Sequence, residues 1–370
     1  MPLSSGYQKE LLRRGDANER LQEVLEQEKG RLPWMKTEEF DEGTTGGVEY
    51  NRAYGGVEYS AAGDDISRVL TSVVEEKVKE MVSRELTEEM QQEADQVRLG
   101  NAHKGIKIVI NRMQDVEEHY IRQYQNVAPP LLSISRQMQK QLQRIFRDMS
   151  FADKQTSLPM GRRIEPRLLM DRDGRFFSKN RLPGSKKSLA VAVLMDESGS
   201  MSSQDRVTYA RAAGVIIYDF CKAMEVPVLI MGHTDDDSVQ LYAYTDFDST
   251  DENDRYRLMD LSSRYGNRDG AALRYVAERL LKQPEENKLL LLVSDGQPAG
   301  TGGYIGSAAE ADLRGIKKEY TNKGILFVAA AIGEDKENIE RIYGDAFLDI
   351  SDLTKLPFLL VKRIEKELRG

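Results

Sequence analysis

Two stretches of this chain are apolar without interruption, and both end on a carboxylate flanked by small polar residues. The first, LAVAVLMDESGSM, runs from Leu189 to Met201, and the second, KLLLLVSDGQP, from Lys288 to Pro298. A strand that is apolar on both faces has to be covered on both faces, as in a parallel sheet between two helical layers. The surrounding pattern agrees. Helical spacing at Asp205–Met224, Ala271–Leu281 and Ala308–Tyr320 alternates with strands at Leu189–Met195, Pro227–Met231, Val239–Tyr244, Leu289–Val293 and Ile325–Ile332. Helices at Lys336–Tyr343 and Leu353–Leu368, with a short strand near Phe347–Ile350, complete it. The spacing predicts a doubly wound, Rossmann-like α/β domain over residues 188–370.

Upstream, the chain reads as three further pieces. Residues 1–60 are weakly patterned, with a charged helix expected at Gly6–Lys29 and the pentapeptide GGVEY occurring at Gly46–Tyr50 and again at Gly55–Tyr59. Residues 61–130 form a helical region. Asp64 or Asp65 caps a helix carrying Ile66, Val69, Leu70, Val73, Val74, Val78, Met81 and Val82, and a second helix is expected from Arg112 to Gln125. Pro129 and Pro130 are read as a break before a third helix, whose stripe is Leu131, Ile134, Met138, Leu142, Ile145 and Met149. Residues 131–187 are that helix and a linker. Between Arg136 and Lys187 there are fourteen Lys and Arg against five Asp and Glu, a local charge of +9 in a chain of net charge -8. The expected counterpart is internal: the acidic loops holding Asp235, Asp236, Asp237, Asp246, Asp248, Asp251, Glu252, Asp254 and Asp260.

The same net charge argues against a general nucleic-acid binder, which needs Lys and Arg to neutralise phosphates. The chain has one cysteine, Cys221, on the apolar face of a predicted helix, so no internal disulfide is expected. The opening MPLSSGYQKELLRR lacks an apolar leader, and no stretch approaches the ~20 apolar residues that span a bilayer. These features point to a soluble cytoplasmic protein.

The chemistry sits at the two strand ends. Asp196, Ser198 and Ser200 follow the first strand in D-x-S-x-S spacing, which lets alternate residues point at one place, and Asp295 ends the second. Open α/β sheets bind ligands beyond the carboxyl ends of their strands, where strand order reverses. The donors are all carboxylate or hydroxyl oxygens, a set suited to Mg²⁺ or Mn²⁺ rather than Zn²⁺. Either motif alone also fits Ser and Asp acting only as turn formers. No G-x-S-x-G, H-E-x-x-H or G-x-x-x-x-G-K-[ST] motif occurs, so neither intrinsic hydrolase nor ATPase chemistry is expected.

D-x-S-x-S after one apolar strand, with SDG ending a later one, resembles the von Willebrand factor A (VWA) family and its metal-ion-dependent adhesion site. That resemblance implies a Mg²⁺ site, Mn²⁺ being an alternative, at which an acidic residue of a partner completes the coordination. The family's third loop supplies a threonine, where this chain has SSRYGNRDGAALRYVAERL. Asp269 is the preferred third ligand and Asn267 the alternative, Asp269 also being readable as a helix N-cap. NRDGAAL, Pro284-Glu285-Glu286 and SDGQP, with SRQMQKQLQRIF and RLLMDRDGRFFSKNRLPGSKKS upstream, resemble one branch. It comprises the VWA subunit of aerobic cobaltochelatase and the nitric oxide reductase activation proteins. The resemblance implies a non-catalytic adaptor acting with a MoxR-type AAA+ ATPase in metal insertion or metalloenzyme activation. The competing readings are an independent protein-binding module with no ATPase partner, and an extracellular adhesion module.

Overall fold

The computed structural model describes residues 79–369 except 152–153, 161–162, 170–174, 181–187, 297 and 333–335. The helix expected at 6–29, the repeated GGVEY and most of the helix capped by Asp64 or Asp65 lie outside the described residues. The chain divides into a small unit, Met1–Glu89 with Asp248–Asp251, and a large one, Met90–Phe247 with Glu252–Gly370. In the small unit, residues 79–89 are helical. The sheet and the candidate site belong to the large unit. Among the described residues no helix is long and apolar enough to cross a membrane.

Seven strands form the sheet: β1 (Ile108–Asn111), β2 (Leu189–Asp196), β3 (Val228–Asp236), β4 (Ser238–Thr245), β5 (Asn287–Ser294), β6 (Ile325–Ala331) and β7 (Phe347–Asp349). Their order is β1-β4-β3-β2-β5-β6-β7. Only β3 and β4 are antiparallel, turning through Asp237, whose φ of 55° is left-handed. Every residue of β2 is buried, as its unbroken apolar sequence requires. Helices of the large unit include α1 (Glu118–Phe151), α2 (Arg206–Ala223), α3 (Asp269–Leu281), α4 (Gly306–Asn322), α5 (Lys336–Tyr343) and α6 (Leu356–Arg369). Leu189, Val191, Val193 and Met195 of β2 pack with Met138 and Leu142 of α1, Ile216 and Phe220 of α2, and Leu360 and Ile364 of α6. The alternate residues Ala190, Ala192 and Leu194 are buried on the opposite face, since successive side chains of a strand point to opposite sides.

Three expectations change. Pro129 and Pro130 do not end a helix; both lie inside α1, which is continuous over 34 residues. Each proline withholds an N–H from the carbonyl four residues earlier, at Gln125 and Asn126. All four residues are exposed, so water can take those carbonyls, while Tyr120 and Tyr124 before the pair and Ile134 and Met138 after it pack on one core. The helix expected at Arg112–Gln125 begins only at Glu118, because the chain first contributes β1.

That strand was not anticipated. Four residues, IVIN, carry too little periodicity to be read alone, yet they pair in parallel with β4 from Ile108 opposite Val239 to Asn111 opposite Tyr242. Gln91 covers the outer edge: its Nε2 donates to the Ile108 carbonyl at 2.9 Å and its Oε1 accepts from the Ile110 N–H at 2.9 Å.

Four carboxylates of the acidic loops take their partners outside the basic stretch. Asp235 lies 3.2 Å from Arg268, Asp246 2.8 Å from Arg279, Asp254 2.8 Å from Arg112 and Asp260 2.9 Å from Arg264. None of these arginines falls between Arg136 and Lys187. A buried carboxylate needs a fixed partner within its own packing, and the described arginines of the basic stretch, Arg163, Arg167 and Arg175 among them, are exposed.

Candidate metal centre

β2 and β5 are neighbours in the sheet, yet the chain leaves β2 toward β3 on one side and leaves β5 toward β6 on the other. Strand order therefore reverses between them, which places a crevice beyond their carboxyl ends. Asp196 is the last residue of β2, and Asp295 directly follows β5.

The Asp196 side chain is fully buried and held by three donors. Its Oδ1 accepts the Ser198 N–H at 2.8 Å, and its Oδ2 accepts from Asn267 Nδ2 at 2.6 Å and Ser294 Oγ at 2.8 Å. Burial raises its pKa above the usual carboxylate range. The negative charge of Asp269 adds to that rise, while His233 and the Ser198 hydrogen bonds oppose it. Ser198 Oγ and Ser200 Oγ are hydrogen-bonded to each other at 2.9 Å. Adjacent ligands of a Mg²⁺ octahedron, each ~2.0–2.1 Å from the ion, are separated by about 2.9 Å. The two hydroxyls thus have the spacing of neighbouring Mg²⁺ ligands.

Asp269 lies in the first turn of α3, buried, with Oδ1 2.9 Å from Nε2 of His233. His233 sits opposite Asp196 in the β2–β3 register and is itself fully buried. The contact with Asp269 sets an imidazole nitrogen against a carboxylate oxygen, both buried. Burial disfavours the imidazolium, but Asp269 and then Asp196 and Glu197 outweigh it, leaving the His233 pKa above its ordinary value. The first N–H of α3, that of Asp269, donates to Asn267 Oδ1 at 3.0 Å. Asn267 therefore joins Asp196 to the start of α3, and Asp269 is the first residue of that helix rather than its N-cap, a position held by Arg268. Asp295 meets a cation: its Oδ2 accepts from Arg206 Nη1 at 3.0 Å. Arg206, only 6% exposed, is the first residue of α2.

The structure thus gathers Asp196, Ser198 and Ser200 with Asn267 and Ser294, sets Asp269 on His233, and turns Asp295 to Arg206. Among the described residues no three Asp, Glu, His or Cys side chains converge as a metal cage. A metal here would rest on the hydroxyl pair, a minority of carboxylates and water. Mg²⁺ retains several waters and suits such a set; closed zinc sites, built from nitrogen and sulfur, do not resemble it.

Backbone bonds lace the first ligand loop to the third. Gly199 N–H donates to the Tyr265 carbonyl at 2.7 Å and Arg264 N–H to the Glu197 carbonyl at 2.6 Å. The Glu197 side chain turns inward, accepting from the Tyr244 hydroxyl and from Arg264 Nε at 2.6 Å. Burial pushes its carboxyl up to about 7, with the Tyr244 and Arg264 hydrogen bonds opposing the rise. Arg264 also reaches Asp260 and lies over the Tyr242 ring, 3.9 Å from its centroid. Beside α3, His103 Nε2 and the Tyr304 hydroxyl each lie 2.9 Å from Asp312 Oδ2. The three fill the space left by the missing side chain of Gly270.

Ser294, Arg206 and Glu197 were not singled out from sequence. Ser294 had a signal, standing directly before Asp295 in SDG. The other two depend on where backbone turns send them.

Residues 190–354 match the family model for the von Willebrand factor type A domain. The chain is 25% identical to YojO of Bacillus subtilis (strain 168) over 259 residues, which is 66% of this chain and 40% of that protein. It is 32% identical to Protein NorD of Brucella suis biovar 1 (strain 1330) over 107 residues, which is 28% of this chain and 17% of that one. The match therefore spans less than half the length of either relative. Among solved structures, the vWF domain of the type V pili tip protein Mfa5 from Porphyromonas gingivalis aligns over 49% of this chain and 96% of its own. That alignment has 11% identity and a TM-score of 0.39.

Proposed function

The C-terminal half of this chain is a VWA domain resembling that of NorD, and on that premise we propose that the chain is a Mg²⁺-dependent adaptor with no catalysis of its own. Ser198 and Ser200 would hold the ion directly, with Asp295 a further carboxylate ligand and Asp196, Asn267 and Ser294 fixing their loop. The bound ion would supply a Lewis-acidic position at which a carboxylate of a partner protein replaces water. The observation that carries this reading is the gathering of two hydrogen-bonded hydroxyls, at a spacing Mg²⁺ ligands also adopt, beside a buried aspartate whose orientation three donors fix. Mn²⁺ would serve in the same geometry.

The proposed partner is a MoxR-type AAA+ ATPase, and the proposed setting is metal insertion or metalloenzyme activation. Support comes from the NRDGAAL and SDGQP motifs, from the likeness to NorD, and from the absence of a phosphate-binding loop in the sequence. The test is calorimetry of Mg²⁺ on the full chain and on Asp196→Ala, alongside co-purification with a MoxR-type ATPase in Mg²⁺ and in chelator. Binding lost in the variant, with capture only in Mg²⁺, is the expected result. Unchanged Mg²⁺ binding in Asp196→Ala removes the site. Metal binding without any ATPase capture leaves an independent protein-binding module.

A further inference from the structure

Arg206 is a buried cation aimed at one of the candidate metal ligands. Its guanidinium Nη1 is 3.0 Å from Asp295 Oδ2, and both side chains are shielded from water, at 7% and 0% exposure. The chain arranges this contact at some cost. The 3₁₀ segment Gly199–Asp205 ends with two consecutive non-glycine residues in left-handed conformation, Gln204 at φ 53° and Asp205 at φ 57°, and α2 begins at Arg206. Backbone of this kind persists where the surrounding structure imposes it, and it collects at binding sites.

Charge explains what the turn achieves. Asp196, Asp269 and Asp295 are all buried; Asp196 and Asp295 stand at the carboxyl ends of adjacent strands, joined through the Ser294 hydroxyl that donates to Asp196. A buried carboxylate without a partner is strongly unfavourable. Asp196 is met by three hydrogen-bond donors and Asp269 by His233, while Asp295 receives Arg206. A divalent ion drawing on Asp295 would enter a place where a fixed positive charge already neutralises that carboxylate. Resting on the metal-site reading above, we propose that Arg206 is a resident cation of the centre. It holds Asp295 while no metal is bound, and an incoming divalent ion competes with it for that carboxylate. Arg206 is then a positioning residue that weakens metal affinity, which makes occupancy responsive to Mg²⁺ concentration rather than permanent.

This reading gives a sign opposite to the ordinary one. If Arg206 merely braced Asp295 for coordination, removing it would loosen a ligand and weaken binding. If it competes, removing it strengthens binding, by about tenfold for one unit charge acting across a partly screened site. The experiment measures Mg²⁺ and Mn²⁺ affinity by calorimetry, with Mn²⁺ electron paramagnetic resonance, on the full chain and on Arg206→Met, Arg206→Gln and Arg206→Lys. Circular dichroism in chelator and in Mg²⁺ follows the fold. Expected are tighter binding in the Met and Gln variants, near-parental affinity in Lys, and a larger Mg²⁺-induced stabilisation in Met and Gln than in the parent. Should Arg206→Met fold only when Mg²⁺ is added, the same conclusion holds, because the metal then replaces the lost cation.

Equal or weaker binding in a folded Met or Gln variant overturns the proposal. So does a pair of variants that no concentration of Mg²⁺ can fold while Arg206→Lys binds like the parent. If the parent binds no metal, the adaptor reading fails by itself. A Met or Gln variant that then acquires Mg²⁺ binding still establishes Arg206 as the resident cation, and one that does not ends both ideas.

Discussion

Glu197 fills the space that Gly232 leaves empty: a methyl group at position 232 would overlap the Glu197 carboxylate. The glycine lies within β3, one residue before His233, and Glu197 lies between Asp196 and Ser198. The sheet thus sets the first ligand loop from beneath, through a missing side chain, and Arg264 and Tyr244 fix the glutamate in place.

Gly232→Ala should therefore act on the loop as well as on the strand. Overpacking of a close-packed interior costs ~1–3 kcal/mol, and here the displaced group is a hydrogen-bonded carboxylate. The expected outcome is a lower midpoint of thermal unfolding together with weaker Mg²⁺ binding. A variant as stable as the parent would show that Glu197 has room to move aside.

Asp269→Thr changes the charge of the centre without touching the hydroxyl pair. A carboxylate near Asp196 strengthens the hold on a cation and repels an incoming acidic group, at about 4 kcal/mol per pair of unit charges 4 Å apart in an effective dielectric of 20, before relaxation. The variant should bind Mg²⁺ more weakly and, once saturated with it, capture an acidic peptide more tightly. Paired titrations of metal and peptide read both signs, and two unchanged affinities would leave Asp269 with no part in the site.

Asp312 gives an acid-side signature of the fold. Burial alone would raise its pKa, but His103 and the Tyr304 hydroxyl outweigh it and hold the carboxyl below its usual value of 3.8. A depressed pKa contributes stability that is complete above the unfolded-state value and lost as pH falls through the folded one. Asp312→Asn lacks that contribution. Its stability should be lower than the parent's at neutral pH and should fall less steeply below about pH 4, a difference that denaturant titrations at a series of pH values would detect.

Truncation tests the sheet. A fragment starting at Ser188 keeps every candidate ligand but loses β1 and α1, leaving β4 as an open edge and uncovering the face that Met138 and Leu142 pack against. Unpaired edges and exposed apolar faces promote association. The fragment should be aggregated or oligomeric in light scattering where the full chain is not. A stable monomer would mean that α1 contributes little to the core.

The ligand loops were legible because chemistry and periodicity coincide there. An unbroken apolar run has to be a buried strand, its end has to meet the crevice, and Asp196, Ser198, Ser200 and Asp295 are what stand at those ends. Asn267 was open as an alternative to Asp269, and the structure gives them different neighbours, Asp196 and His233. Arg206 was not legible, since nothing in its identity says that a left-handed turn at Gln204 and Asp205 delivers it to a carboxylate 89 positions away. β1 was too short to announce itself. The proline pair pointed the wrong way, because local propensity yielded to packing on both sides of it. For Asp235, Asp246, Asp254 and Asp260 the basic stretch was a poor guide for a related reason: composition sums charge along the chain, whereas burial decides which charges must be paired.

Cys221 supplies an internal clock for the core of the large unit. It is the only cysteine in the chain, it is a wholly buried residue of α2 within the core, and burial pushes its thiol far from the reactive thiolate form. A thiol reagent can reach it only when that core opens. The rate at which one equivalent of label is taken up therefore times the opening of the domain's centre, with no probe introduced. Ligands or substitutions that steady the metal loops without steadying the core would leave that rate unchanged.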